Sequence, residues 1–259
     1  MVQGGVVQGE ECDISAHVIP TPNPSPREGD ARTPTTKHQS PIKMKELIIQ
    51  RFVVNMLQEN CYVVSDASGE CVIIDCGAFY DEEKQAIAAY ISQNNLKPVH
   101  LLGTHGHLDH NFGNEFIDKE YGLKLELSER DNTFITEIDS QRKHFGNMIF
   151  DINMPPAGHF LEENELIRFG THTLKVIETP GHSRGSVCFY EEEEGVLFSG
   201  DTLFQSSIGR TDLDGGSMMM IIQSLRMLCQ LPDSTVVYPG HGLPTTMGDE
   251  LAHNPYLDR

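Results

Sequence analysis

The stretch THGHLDH, residues 104 to 110, sets His105, His107, Asp109 and His110 within seven positions. Side chains on an extended segment alternate with period two, so His105 and His107 point the same way and form a two-pronged imidazole clamp. Asp109 and His110 add a hard carboxylate and a third imidazole. That mixture of donors suits zinc or a similar divalent metal better than calcium. Four such groups crowd one tetrahedral ion that must also keep an open position, so the segment points to a second metal.

Further metal-binding residues are sought at strand ends, because groups carried on a sheet scaffold come from loops at one rim. His182 lies in TPGHSRGS, Asp201 in FSGDTLF and His241 in YPGHG, each after an apolar, strand-like run. Each stands beside a glycine, which lets the backbone turn tightly. The shared context selects these three. His17, His38, His100, His144, His159, His172 and His253 lack it and read as ordinary surface or core histidines.

The elements that must position these residues are legible as patterns. ELIIQRFVV, NCYVVSD and ECVIID are short β-branched runs separated by polar or Gly punctuation, which predicts three strands in a meander. DEEKQAIAAYISQNN places Ile87, Tyr90 and Ile91 at helical spacing, with acidic residues in its first turn and Pro98 beyond its end. PVHLLGTH then reads as a buried strand delivering the histidine cluster at its tip. HTLKVIETPGH, SVCFYEEE and GVLFSGD read as strands, a helix follows from Ser217 with Ile221, Ile222, Leu225 and Leu228 on one face, and STVVYPGH closes the pattern. Strands outnumber helices within each half, so the expected α/β architecture is an αββα four-layer sandwich of two stacked mixed sheets with helices outside. The run EEEE at 191–194 reads as a solvated hairpin tip, and Met218–Met220 as a helix opening onto the core. GNMIFDINMPPAGHF, residues 146–160, is apolar yet aperiodic, and a lid or pocket wall and a plain surface connection fit it about equally well.

Composition narrows the setting. Residues 1–43 are rich in Pro, Ser and Thr without an apolar period, and are expected to be a disordered extension or leader; residues 44–259 form one domain. The balance of 38 acidic against 19 basic residues argues against nucleic acid and anionic membrane as partners, since these need clustered Lys and Arg. The six cysteines are scattered with no C-x-x-C pair, which predicts a reduced, cytoplasmic protein. No apolar run resembles a signal-peptide core or a membrane span.

The combination of H-x-H-x-D-H with the TPGH, SGD and PGHG contexts resembles the metallo-β-lactamase superfamily from Met44 almost to the C-terminus. Within it, LFQSSIGRTDLDGGS and the ending HNPYL are most similar to the glyoxalase II-like hydrolases. The resemblance implies that His105, His107 and His182 hold one metal, that Asp109, His110 and His241 hold another, and that Asp201 bridges both. It assigns Asp109 and Asp201 to the catalytic step, with two divalent ions as cofactors, zinc first and iron or manganese after it. Asp75 and Gly77 in IIDCG match the family's short acidic turn beneath the site, where proline commonly stands in place of Cys76; Asp75 would orient the metal-binding loop. Full-length glyoxalase II enzymes continue into a helical domain that helps hold glutathione, whereas here the sequence stops soon after His241. True β-lactamases match less well, since their zinc-binding cysteine or altered second site has no counterpart beside Asp201.

Two metals that share a hydroxide lower the pKa of water to about 7 and polarise the carbonyl it attacks. A thioester suits such chemistry, because its thiol, with a pKa of about 8.5, departs without a strong general acid. The expected activity is therefore hydrolysis of a small-molecule thioester of the S-lactoylglutathione type. A mononuclear-iron persulfide dioxygenase and a lactonase or esterase of the same fold are the alternatives. Arg210 in SIGRTD either binds a substrate carboxylate bidentately or forms a structural salt bridge with Asp212. Because every metal-binding candidate lies downstream of residue 43, a chain beginning at Met44 should match the full chain in Tm and activity; thermal denaturation and a turnover assay on the pair check this.

Overall fold

The computed structural model of the protein describes residues 46–142, 145 and 152–257. The N-terminal extension expected over 1–43 and the first part of the 146–160 segment lie outside the described residues.

Alternation of side chains along the strands builds the layers. β1 (Ile48–Val54), β2 (Glu59–Ser65) and β3 (Glu70–Ile74) form the expected antiparallel meander. β4 (Lys97–Leu102), β5 (Leu125–Leu127) and β6 (His159–Phe160) then add in parallel, giving one mixed sheet in the order β1 to β6. The second sheet runs β14 (Thr245–Thr246), β13 (Val236–Pro239), β10 (Val196–Gly200), β9 (Val187–Glu191), β8 (His172–Glu178), β7 (Leu166–Phe169). Its β10–β13 pair is parallel and the rest are antiparallel.

Between the sheets, Tyr62, Val64, Val72 and Ile74 meet Val176, Phe189 and Phe198 in one core. Their chain neighbours Cys61, Val63 and Ile73 face the opposite way, onto Ile87 and Ile91 of α1 (Asp81–Gln93) and Ile117 of α2 (Asn114–Tyr121). In the second sheet Ile177, Cys188, Leu197 and Val237 pack outward on Ile221, Leu225 and Leu228 of α5 (Met218–Leu228), with Met247 of α6 (Met247–His253). The four layers are therefore those the patterns predict, and strict period-two alternation is the reason. Across the sheet interface, Tyr62 packs edge-on against Phe198 at 5.3 Å and donates its hydroxyl to the Pro239 carbonyl at 2.6 Å.

Capping sets where helices start. The Ser217 hydroxyl accepts from the Met220 amide at the head of α5, and the Glu83 carboxylate accepts from the Phe79, Tyr80 and Asn55 amides ahead of α1. Met218 and Met219, expected to face the core, are exposed, because the apolar stripe of α5 starts at Ile221. The acidic tip is only half solvated. Glu191 is buried and accepts from the Glu194 amide, while the Glu194 carboxylate accepts from the Leu47 amide and lies 3.2 Å from His172 Nε2. The five described cysteines are free thiols, all buried, and no helix among the described residues is long and apolar enough to cross a membrane.

Phe198 is fully buried between the sheets. Phe198→Ala removes that filling and is expected to destabilise the protein by about 3–5 kcal/mol, read from the shift of a urea unfolding midpoint.

Candidate metal centre

The seven predicted residues leave the fold at one rim. Residues 103–110 follow β4 and end in a single 3-10 turn, Leu108–His110, which brings His110 around to face Asp109 and His241. His182 follows β8, Asp201 follows β10 directly, and His241 follows β13. Gly240 sits where a Cβ would strike the Asp201 carboxylate and the His110 ring, so only glycine lets the two loops close.

Three overlapping groups of donor atoms result, the third being Asp75 with His105 and His110, in which the Asp75 carboxylate is taken up by Thr104 and the His110 Nδ1–H. In the first, one donor atom from each of His105, His107 and His182 lies within 4.8 Å of the others. His107 Nδ1 stands 2.8 Å from His182 Nε2. In the second, Asp109, His110 and His241 converge in the same way, with His110 Nε2 3.3 Å from His241 Nε2 and His241 Nε2 3.4 Å from Asp109 Oδ2. Asp201 stands between these first two groups. Its Oδ2 is 3.5 Å from His182 Nε2 and 3.7 Å from His241 Nε2, and its Oδ1 is 3.4 Å from His110 Nε2.

The far side of each ring shows which nitrogen is free. His182 Nδ1 donates to the Arg210 carbonyl at 2.8 Å and His241 Nδ1 to the Leu57 carbonyl at 3.2 Å. His110 Nδ1 donates to Asp75 Oδ2 at 3.1 Å. Thr104 Oγ1 donates to Asp75 Oδ2 at 2.7 Å and so accepts from His105 Nδ1 at 3.0 Å. These bonds make the outward Nδ1 the donor, so the neutral form of each ring turns the lone pair of Nε2 inward. Buried His105 Nε2 and Asp201 Oδ1 have no hydrogen-bond partner. Orphaned atoms of this kind are expensive unless something else satisfies them, and a divalent cation in each of the first two groups would do so. The residues present thus fit a pair of metal ions.

Electrostatics divide the centre. Burial opposes charge on His110 and His241, yet Asp201 and Asp109 outweigh it and hold His110 well above, and His241 above, the usual imidazole range, so both rings would give up a proton on binding a metal. Burial, with His182 and His110 adding to it, pushes His107 down to about 3, and burial likewise holds His105 well below the usual imidazole range, so both stay neutral as metal binding requires. Burial opposes charge on Asp201 too, yet His110, His182 and His241 outweigh it and hold that carboxyl well below its ordinary value. Asp75, at φ +52 in the left-handed region, also accepts from the Thr104 amide at 2.7 Å, so one carboxylate ties β3, the histidine loop and His110 together.

Arg210 lines the cavity above the centre, and its guanidinium forks onto Asp212 at 2.7 and 2.8 Å, holding that carboxyl down to about 2. The cavity encloses about 630 Å³, and Leu57, Phe134, Phe145, Phe204, Ile208 and Leu213 make most of its wall apolar. Two of these, Phe204 and Ile208, belong to the hairpin of β11 (Leu203–Phe204) and β12 (Ser207–Ile208). Asn254 in HNPYL donates to the Ser207 carbonyl at 3.0 Å, and Glu250 accepts from the Ser206 amide at 2.7 Å, so the C-terminal segment holds this wall. Within the 146–160 segment, Ile152 and Met154 pack against Leu108 and Phe112.

Sequence reasoning missed Asn55, Glu59, Asp131 and Gln141, all buried around the centre. Asn55 donates to the Gly77 and Asp109 carbonyls, both at 2.9 Å. Gln141 accepts from the Leu108 amide at 2.9 Å and donates to the Gly106 carbonyl at 3.1 Å. Burial raises the Glu59 carboxyl well above its ordinary range, 3.8 Å from His110 Nδ1. None has a local signature, since each is marked only by its partners far along the chain. The other described histidines lie apart from the centre, with His100 on Glu126, His159 on Glu165 and His172 on Asp66.

A model of the metallo-beta-lactamase superfamily matches residues 54–241. The hydroxyacylglutathione hydrolase GloC of Haemophilus influenzae is 33% identical over 212 residues, covering 81% of this chain and 98% of that protein. The crystal structure of BLEG-1 B3 metallo-beta-lactamase superposes with a TM-score of 0.74 at 34% identity, covering 82% of this chain and all of that one. TTHA1623, solved in a di-iron-bound form, gives a TM-score of 0.69 at 35% identity, covering 80% of this chain and all of its own. The chain belongs to the metallo-beta-lactamase superfamily, a group of metal-dependent hydrolases.

Gly77 lies where a Cβ would collide with the Asp109 carbonyl and the Glu59 carboxylate. Gly77→Ala should displace the Asp109 turn and lower metal content at the Asp109, His110 and His241 group, giving fewer ions per chain than wild type by elemental analysis.

Proposed function

We propose that the protein is a two-metal hydrolase that cleaves a thioester of the S-lactoylglutathione type. The observation that carries this reading is the pair of converging donor groups with Asp201 between them. His105, His107 and His182 would hold one ion, Asp109, His110 and His241 the other, and Asp201 both. Zinc suits the mixed imidazole and carboxylate set, and iron or manganese can occupy the same donors. Bound there, divalent ions supply Lewis-acid chemistry, acidifying water toward a pKa of about 7 and polarising an acyl carbonyl.

The chain's own residues do the remaining work. The carbonyls of Arg210 and Leu57 and the Asp75 carboxylate hold the rings so that their free nitrogens face inward. Asp109 and Asp201 place negative charge beside both groups, which suits cations. The apolar wall excludes water around the acyl group, and a thiol leaving group asks for no strong acid among the lining residues. Arg210 receives a substrate carboxylate at the cavity edge by exchanging it for Asp212, both side chains being more than half exposed. The naming of a 33% identical relative as a hydroxyacylglutathione hydrolase supports the same substrate class.

Asp201→Asn removes one negative charge with little change in shape. It is expected to lower metal occupancy in both groups and to abolish thioester cleavage, whereas His241→Ala should chiefly empty one position and leave partial activity. Elemental analysis and thiol release on wild type and the two variants measure this. About one iron per chain, oxygen consumption with a persulfide and no thioester cleavage would replace the hydrolase by a dioxygenase; turnover of lactones or oxygen esters alone would narrow it to that class.

A further inference from the structure

Asp131 ends the 3-10 turn Glu129–Asp131 and stands directly before α3 (Asn132–Thr136), outside every motif that supplies a side chain to the centre. It is fully buried, and both of its carboxylate oxygens are used. Oδ2 accepts from the Gly106 amide at 2.9 Å and from the Ser183 hydroxyl at 2.6 Å, and Oδ1 accepts from the Gly185 amide at 2.7 Å. Gly106 lies between His105 and His107. Ser183 and Gly185 follow His182. One carboxylate therefore joins the two loops that carry the first group of imidazoles, and these loops come from different sheets.

The glycines are part of the joint. A Cβ at Gly185 would stand 2.7 Å from Asp131 Cγ, and one at Gly106 would stand 2.8 Å from the Asp131 carbonyl oxygen and from Phe134 Cβ. Separations below 3 Å are not tolerated without movement, so both loops approach as closely as a backbone without side chains allows. The second group has tethers of its own, the Leu57 carbonyl on His241 and Asn55 on the Asp109 carbonyl, while Asp75 holds His110 and, through Thr104, also His105 of the first group. No hydrogen bond joins Asp131 to Asp109, His110 or His241.

We propose that Asp131 is a positioning residue for one metal position only, clamping the His105–His107 loop to the His182 loop so that their three imidazoles converge. The assignment rests on the two-metal reading of the centre but not on the substrate it acts on. Asn at this place offers one accepting oxygen and turns an N–H2 group toward a backbone amide, so either Gly106 or Gly185 loses its partner.

The test counts metal and does not depend on turnover. Full-length wild type, Asp131→Asn, Ser183→Ala and Asp66→Asn are loaded with zinc, challenged with a chelator, and followed by elemental analysis and near-ultraviolet circular dichroism. Asp66 is the control: it is likewise a buried carboxylate, bonded to the Thr171 amide at 2.6 Å and the Thr171 hydroxyl at 2.7 Å, away from the centre. Asp131→Asn should keep a folded spectrum and one of two ions, losing the other about 10- to 100-fold more readily. Ser183→Ala should do the same more weakly, and Asp66→Asn should lower Tm with both ions retained. Combining Asp131→Asn with His241→Ala should leave no ion. Wild-type retention of both ions in Asp131→Asn, or equal loss in Asp66→Asn, overturns the clamp. Two ions in wild type with no thioester cleavage would refute the proposed substrate and leave the clamp standing.

Discussion

Seven buried or half-buried side chains turn nitrogen and carboxylate atoms toward one another, and hydrogen bonds from outside hold that arrangement. Left alone, a buried donor or acceptor without a partner costs about 1–3 kcal/mol, and neighbouring carboxylates repel. The protein opposes this tendency from outside. Each of His105, His110, His182 and His241 donates its outer Nδ1–H to a fixed acceptor, which leaves the inner nitrogen no alternative orientation. A centre built this way is preorganised for cations, because the conformational cost of converging the donors has been met by the fold.

Preorganisation draws on unusual backbone. Asp75 occupies the left-handed region at φ +52, a conformation that costs a non-glycine residue on the order of 1 kcal/mol. Three bonds to its carboxylate offset that cost and in return fix both the Thr104 amide and the His110 ring. The Gly106 and Gly185 loops show the complementary device, in which the absence of a side chain lets two strand-end loops meet on a single carboxylate. Rigid strands thus deliver the residues, and short polar links between loops, more than core packing, set their final angles.

The cavity is chemically divided. Its floor is ionisable, and its wall is largely aromatic and aliphatic. Under the proposed function a substrate would meet apolar contact around the reacting group and the Arg210 charge only at the edge. The β11–β12 hairpin that supplies part of this wall is held by Glu250 and Asn254. The segment after His241 therefore shapes part of the cavity wall.

The residues that converge at the centre were legible in the sequence because their types are rare, closely spaced and repeated in one context: an apolar strand, a glycine, then His or Asp. The layers were legible because period-two alternation divides Cys61 and Val63 from Tyr62 and Val64, whatever lies beyond each face. Short strands such as β5, β6 and β14 and helices such as α2 and α6 carry too few periodic residues to announce themselves. Met218 and Met219 show the limit of reading by type, since an apolar residue at a helix start need not share the face of the stripe that follows. Of the two readings the sequence offers for Arg210, the structure shows the local pair with Asp212. Only the tertiary structure decided which nitrogen of each imidazole faces outward and that Asp131 joins two loops of the centre. Those facts depend on hydrogen bonds between residues 25 to 54 positions apart for Asp131, and such a partner leaves no mark on the local sequence, because it is chosen by where the folded chain returns.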